Sequence, residues 1–314
     1  MTDSEANPPT MRPNPKQLVD LFSRSLSSFH SSPDVFRILC TLPHHSGSKE
    51  PVSRPSTSKL QQRLVVLDSS FNPPTRAHAE MAKSALKWAS SSSSEGGAAR
   101  LMLLLSVNNA DKAPKPASFP TRLGMMEGFG HELLKSFANE EGLNNGPEID
   151  LAVTKMPYFH DKARVIAESG FYASAGSPEP EQIFLAGFDT VIRIFNPKYY
   201  NTETMSGSEG GMRAALGPFF DRARLRVTMR TDDEWGGESE QIEYVKGLGE
   251  GKLDEVGGDA EWAGRVDLVE GKKGSGVSSS KVRELVKNGD GKSLEEMVDG
   301  EVLRWIDEEV LYRE

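Results

Sequence analysis

Two short stretches of the chain carry hydroxyls, a histidine and an arginine in settings that could hold a polyanion. The first, Leu67-Asp68-Ser69-Ser70-Phe71-Asn72-Pro73-Pro74-Thr75-Arg76-Ala77-His78, lies between an apolar run, Leu64 to Leu67, and a helical pattern, Ala77 to Trp88. At the carboxyl end of a strand in an open α/β sheet, the helix that follows presents unpaired N–H groups to an anion, so a phosphate is the expected ligand. Pro73 and Pro74 stiffen the turn, while Thr75 and His78, three apart at a helix start, share a face and reach one ligand. Taken alone, a histidine there reads more readily as a cap or a surface residue. The second stretch, Val277-Ser278-Ser279-Ser280-Lys281-Val282-Arg283, again opens a helix. Arg283 stands about one turn in, where its fork can grip two phosphate oxygens. Alone, Ser279 reads equally well as a plain N-cap.

The elements that must position these loops follow from periodicity. Apolar runs at Leu64 to Leu67, Leu101 to Val107, Ile183 to Ala186 and Leu225 to Thr228 alternate with helical patterns at Ala77 to Trp88, Pro120 to Asn139, His160 to Ser169 and Thr190 to Phe195. Nearly continuous apolar strands separated by helices predict a parallel sheet covered on both faces, an α/β fold of doubly wound, Rossmann-like type. Ile149, Leu151 and Val153 predict one further strand. Helices are expected at Ser279 to Lys287 and Glu301 to Tyr312. Residues 1–62 read as an N-terminal extension and linker: a docking helix with Leu18, Leu21, Phe22, Leu26 and Phe29 at helical spacing, then Phe36 to Leu42 as an edge strand or a helix turn. Residues 63–314 form the main domain. Ser90 to Ala98, Ala173 to Glu181, Thr204 to Gly211 and most of Thr231 to Gly276 are rich in Ser, Gly, Asp and Glu and are expected as surface loops.

Composition narrows the partners. With 46 acidic against 37 basic residues the net charge is −9, so no general attraction to nucleic acid or an anionic bilayer is expected. No apolar stretch approaches the roughly 18 residues of a membrane span. Cys40 alone permits no internal disulfide or cysteine-based metal cluster, and a cytosolic or nuclear setting is the expectation. Cys40 itself, among apolar residues, is expected to be buried and inert. His44 and His45 lie in the linker with no cysteine or third histidine nearby, which makes a poor zinc site and favours a solvated loop. The acidic clusters around Asp232 and from Glu238 to Glu243 are expected to be hydrated.

Strand, S-F-N-P-P-T-x-x-H, helix, and a distant S-S-S-K-V-R strongly resemble the nucleotidylyltransferase superfamily, with its G-x-F-[ND]-P-x-[HT]-x-x-H and I-S-S-T-x-x-R motifs. Within it the chain is most similar to the nicotinamide-mononucleotide adenylyltransferases, in particular a divergent fungal branch. Ser106 to Lys112 resembles the family segment that ends in a substrate-contacting lysine, with Arg122 close behind. Gly187-Phe188-Asp189 resembles its G-x-D, Asn196 to Tyr200 lies where it has an aromatic residue near the pyridine ring, and Ile306 to Tyr312 resembles its C-terminal helix. The resemblance spans roughly Leu64 to Glu314, with gaps at the acidic insertions.

What this resemblance implies is direct adenylyl transfer, in which the mononucleotide phosphate attacks the α-phosphorus of ATP in line and pyrophosphate leaves. His78, Lys112 and Arg283 would be the catalytic groups. Ser69, Ser70, Phe71, Thr75, His78, Gly187, Asp189, Ser278, Ser279, Ser280 and Arg283 would bind ATP, and Lys112, Tyr158 and Tyr200 the mononucleotide, with Phe159 and Tyr199 also open as the stacking residue. No protein metal site is implied; Mg²⁺ would be carried mainly by the ATP phosphates. Related enzymes often assemble, so a homo-oligomer is compatible with the sequence. Two departures stand out: Ser69 replaces the first glycine of the motif, adding a Cβ that crowds the phosphate, and Ser280 replaces a threonine. Arg122, Lys162, Arg193 and Arg230 are open as pocket-lining groups, but each reads more readily as a solvated surface charge, with Arg230 kept as a candidate phosphate or adenine-side contact. Two other readings remain: another transferase of this superfamily, acting on phosphopantetheine or using CTP, and an ATP-binding or weakly ATP-hydrolysing interaction module.

Overall fold

Strands whose side chains are apolar on both faces must be covered on both faces, and the sheet here is built that way. The structure, a computed structural model, describes residues 14–44, 51–55, 63–91, 100–107, 116–138, 146–173, 179–200, 211–230, 236–271 and 276–313. Among these residues one sheet holds β1 (Phe36–Leu42), β2 (Arg63–Asp68), β3 (Arg100–Ser106), β4 (Ile149–Thr154), β5 (Glu181–Gly187), β6 (Ala223–Thr228) and β7 (Val266–Val269). The order is β1-β4-β3-β2-β5-β6-β7, parallel throughout except for β1, which runs antiparallel to β4. The chain leaves β2 toward β3 on one side and later returns to place β5 on the other. A crevice therefore opens at the carboxyl ends of β2 and β5, where ligands bind in sheets of this kind.

Helices α1 (Pro15–Ser31), α2 (Arg76–Ser91), α3 (Phe119–Ala138), α4 (Phe159–Glu168), α5 (Phe188–Ile194) and α6 (Met212–Arg222) precede or connect the strands. They are followed by α7 (Glu238–Gly247), α8 (Leu253–Glu255), α9 (Ser279–Asn288), α10 (Gly291–Glu295) and α11 (Gly300–Glu308). Alternate β2 residues serve opposite cores: Val65 and Leu67 pack with Phe22, Phe129 and Trp305, while Leu64 and Val66 pack with Phe184, Phe219 and Trp262. Gly124 of α3 faces the Trp305 ring so closely that a Cβ would collide with it, which fixes α11 against α3. The N-terminal segment shares the first core. Leu18, Phe22, Leu26 and Phe29 of α1 are all buried, Asn14 and Gln17 form a reciprocal capping box, and β1 supplies the sheet's edge.

Three expectations are corrected. Much of the Gly- and Glu-rich stretch expected as a surface loop folds as α7, a π-turn at Leu248–Lys252, α8, a 3-10 helix at Ala260–Arg265, and edge strand β7. Its few apolar residues are spaced so that Leu248, Leu253, Trp262 and Val266 all reach the second core. The fully buried Gln241 binds the backbone at Arg230 and Gly236, standing in for a missing strand ladder. The final helix stops at Glu308 rather than Tyr312, because Val310 and Tyr312 adopt φ of 52° and 64° and turn the chain back on itself. His44 is not a solvated linker residue; its Nε2 lies 3.0 Å from Glu127 Oε1 on α3. His45 lies outside the described residues. Cys40 is buried, and burial raises its thiol well above the ordinary range. Among the described residues no helix is long and apolar enough to cross a membrane.

Candidate active site

An open cavity of about 440 Å³ lies at the carboxyl end of β2, lined by Asp68, Ser69, Ser70, Ser106, Phe119, Arg122, Pro157 and Lys162. The turn after β2 bends sharply at Phe71, whose φ of 45° is in the left-handed region that a residue with a Cβ rarely enters. Burial holds it there: the ring is fully enclosed, 6.5 Å from Phe129 and 5.6 Å from the His78 imidazole between centroids. Phe71 thus contributes backbone geometry, and its side chain is core.

His78, in the first turn of α2, is oriented by the same loop. Its Nδ1 accepts the Thr75 backbone N–H at 3.0 Å and lies 2.8 Å from the Thr75 hydroxyl, so Nδ1 is the bare nitrogen of the neutral ring. Its proton is thereby assigned to Nε2, which faces Ser69 Oγ at 2.9 Å. Burial lowers the pKa to about 4, so at neutral pH the ring is an uncharged donor with one N–H aimed toward Ser69.

The second motif loop is fastened to the first. Ser278 caps α9 by accepting the Lys281 N–H, while the Ser279 hydroxyl donates to Pro73 O at 2.8 Å. Arg283 donates to Asn72 O at 2.8 Å and to Ser280 Oγ at 3.0 Å. From the chain's end, Tyr312 donates its hydroxyl to Asn72 Oδ1 at 2.9 Å, which is what the left-handed turn after α11 accomplishes. Segments separated by more than 200 positions therefore meet at Asn72 and Pro73.

The remaining expected residues are dispersed. Gly187 caps α5, and a Cβ there would sit 2.6 Å from Asp189 Oδ1, so the tight fit is to its own neighbour. Asp189 pairs with Arg193 at 2.8 Å and lies 3.9 Å from Arg230. Tyr158 is exposed and stacks on His160 at 5.5 Å between centroids. Tyr200 commits its hydroxyl to Ile194 O at 2.6 Å and its ring to the second core. Tyr199 is exposed with Lys198 over its ring, whereas Phe159 packs on Phe184. Lys112 lies outside the described residues.

Two cations expected on the surface are buried in the site. Lys162 of α4 donates to Asp68 at 2.5 Å and lies 5.5 Å from the Phe159 ring centroid. Arg122, at the start of α3, donates to Ala117 O at 3.0 Å and to Ser70 O at 3.5 Å and lies over Phe119. The usable signal was position: Lys162 falls four residues before Ile166 and three before Val165 on the buried face of α4. Arg193, by contrast, is exposed as expected. Asp68, Ser106 and Tyr312 were not singled out, and Tyr312 owes its place to a backbone turn without a sequence signature.

No family model matches the chain. A Schizosaccharomyces pombe protein named “Putative nicotinamide mononucleotide adenylyltransferase” is 32% identical over 245 residues, covering 77% of this chain and 83% of that protein. Among solved structures, Plasmodium falciparum nicotinic acid mononucleotide adenylyltransferase complexed with APC aligns over 80% of this chain and 98% of its own, at 14% identity and a TM-score of 0.48. The same enzyme complexed with NaAD gives 15% identity and a TM-score of 0.47 over the same shares. The length and identity of the match to the S. pombe protein establish that the chain belongs to the nicotinamide mononucleotide adenylyltransferase family.

Proposed function

We propose that the chain transfers the adenylyl group of ATP to nicotinamide or nicotinate mononucleotide, yielding NAD or its deamido form and pyrophosphate. An oxygen of the mononucleotide 5′-phosphate forms the new bond to the α-phosphorus as the bond to the leaving pyrophosphate oxygen breaks. Such a step needs positioning and charge stabilisation rather than a nucleophilic side chain. The single observation that carries this reading is the joining of the two motif loops at Asn72 and Pro73, with the His78 Nε2–H facing the cavity-lining Ser69. A triphosphate lying along that seam would meet the His78 N–H, the free amides of α9, Ser280 and Arg283.

Neutral His78 suits the role of hydrogen-bond donor to charge developing on the α-phosphate, because the proton it offers is held at a fixed atom. Lys162 and Arg122 supply positive charge on the cavity wall for the acceptor phosphate, a task the resemblance gives to Lys112. Tyr158 keeps an open aromatic face for the pyridine ring. Among the described residues Asp68 is the one carboxylate lining the cavity, and it is already paired with Lys162; that donor set is too sparse for a dedicated Mg²⁺ cage, and the ion would arrive as part of the substrate, on the triphosphate. We place the enzyme in the cytosol or nucleus on the grounds of its cysteine usage.

The test is product analysis with ATP, Mg²⁺ and each mononucleotide. Dinucleotide and pyrophosphate should form, and His78→Ala should lower kcat by about 100- to 1000-fold, the loss seen when a transition-state charge contact is removed. Release of inorganic phosphate without a dinucleotide, or transfer only to phosphopantetheine or from CTP, would refute the reading.

A further inference from the structure

We propose that His44, Glu127 and His131 form a site for one divalent transition-metal ion of the zinc type, which clasps the N-terminal arm to α3. Glu127 and His131 stand four apart on α3, one helical turn, and so project from one face. His44 comes from the other side, two residues beyond the end of β1. The arm packs here against Gly130, where a Cβ would lie 2.5 Å from Leu42 Cδ1, so the glycine leaves room for the Leu42 side chain. The three groups are 83 and 4 positions apart in sequence, yet their donor atoms all lie within 4.8 Å of one another.

The geometry is convergent. Both imidazoles turn the same nitrogen, Nε2, toward the same oxygen, Glu127 Oε1, at 3.0 Å and 2.9 Å. The rings meet edge to face, 5.4 Å between centroids. A tetrahedral zinc ion with bonds of about 2.0 to 2.1 Å holds its donors about 3.3 Å apart. Seating the ion would open the two nitrogen–oxygen separations by a few tenths of an ångström and bring the two imidazole nitrogens, which lie within 4.8 Å of each other, to the same spacing. The Glu127 side chain is only 5% exposed and those of His44 and His131 are 23% and 14% exposed, which leaves an approach from solvent. His44 Nδ1 is buried with no hydrogen-bond partner among the described residues, so the hydrogen bonds found there fix the ring only through Nε2. Two imidazole nitrogens and one carboxylate are donors for zinc or its neighbours in the transition series; magnesium and calcium prefer all-oxygen shells. Three protein ligands leave the fourth position to water.

The site lies apart from the cavity described above. Leu42 pairs with Ile149 at the amino end of β4, whereas the cavity opens at the carboxyl ends of the strands. The ion would therefore act on the fold, joining β1 to the helix whose first turn carries Arg122.

The experiment uses the full chain, stripped with a chelator and titrated with Zn²⁺. One ion should bind per chain, the thermal midpoint should rise by about 5 °C at saturating zinc, and Co²⁺ in its place should give the strong visible absorption of a four-coordinate site. His131→Ala and Glu127→Gln should each weaken binding by about 100-fold or more, at least the loss caused by removing an outer partner of a ligand. Glu127→Gln keeps the size of the side chain, so it remains informative should an alanine variant fail to fold. Wild-type protein that binds no stoichiometric zinc, or variants that bind it as the wild type does, would overturn the proposal. Adenylyl transfer is measured separately, so failure here leaves that reading untouched, and the reverse holds too.

Discussion

Asp150 and Asp68 both stand on central strands beside a long cationic side chain, one at each end of the parallel sheet. Asp150, at the amino end of β4, receives Arg100 Nε at 2.6 Å and Nη2 at 2.7 Å, the Thr41 hydroxyl at 2.7 Å and the Tyr172 hydroxyl at 2.7 Å. Arg100 spends its other N–H groups on Glu148 and on Arg54 O, and is almost fully buried. Burial lowers the guanidinium's pKa, but the hydrogen bonds and charge of Asp150 outweigh that and hold it above its ordinary value. Asp68, at the carboxyl end of β2, has Lys162 at 2.5 Å and lines an open cavity. A charge pair whose every lone pair is answered by the protein is structure; one that faces a cavity can still answer a ligand.

Substitution should separate the two pairs by what is lost. Asp150→Ala would leave Arg100 charged and buried against an acceptor set built for a salt bridge, and should cost about 3–5 kcal/mol in urea unfolding. Lys162→Met should cost roughly 1–2 kcal/mol, because water from the cavity can reach Asp68, while lowering kcat/KM by about 100-fold. Equal stability losses with equal activity losses would erase the distinction.

Acid should find the open end first. The unfolded-state pKa of histidine is near 6.5 and that of folded His78 is about 4, so as pH falls from 6.5 toward 4 the unfolded chain takes a proton that the folded chain refuses. Stability contributed by this residue is complete above 6.5 and is lost on the way down, by roughly 3 kcal/mol in all. Urea midpoints across that window should fall for the wild type and fall less for His78→Gln. Activity, if His78 acts as the neutral donor, should hold level down to about pH 5 rather than decline from 6.5.

The chain disclosed the open end more readily than the closed one. Ser69 to His78 and Ser278 to Arg283 were legible because each sits where a strand or linker meets a helix, and local spacing alone sets the meeting. The Asp150 cluster is invisible in the sequence, since Thr41, Arg100 and Asp150 come from three separate strands and Tyr172 from the turn after α4, and each is ordinary in its own neighbourhood. The place of Lys162 is hidden for a related reason: a lysine on a helix is usually solvated, and only the fold brings this one against Asp68 at the cavity beside β2. Residues 236–269 carry the composition of a surface loop because glycine and glutamate dominate them, yet four well-spaced apolar anchors suffice to bind the segment to the core.

The smallest predicted effect concerns a hydroxyl, and it sharpens the contrast most finely. Thr41 and Tyr172 donate, together with Arg100, to a carboxylate buried away from the cavity, whereas Ser69 Oγ accepts the one N–H that His78 would offer to a phosphate. A bound triphosphate must displace that hydrogen bond, whose net worth is about 1 kcal/mol, so its presence can weaken ATP binding by no more than roughly tenfold. Ser69→Ala removes the hydroxyl without the added backbone freedom of glycine and should lower the KM for ATP by a factor of about two to ten. The folded state should lose about 1 kcal/mol through the same change, measurable as a lower thermal midpoint. A rise in KM instead would mean that the hydroxyl contacts phosphate or steadies the imidazole. The serine at this glycine position would then belong to the binding surface, and the open end would be as fully committed as the closed one.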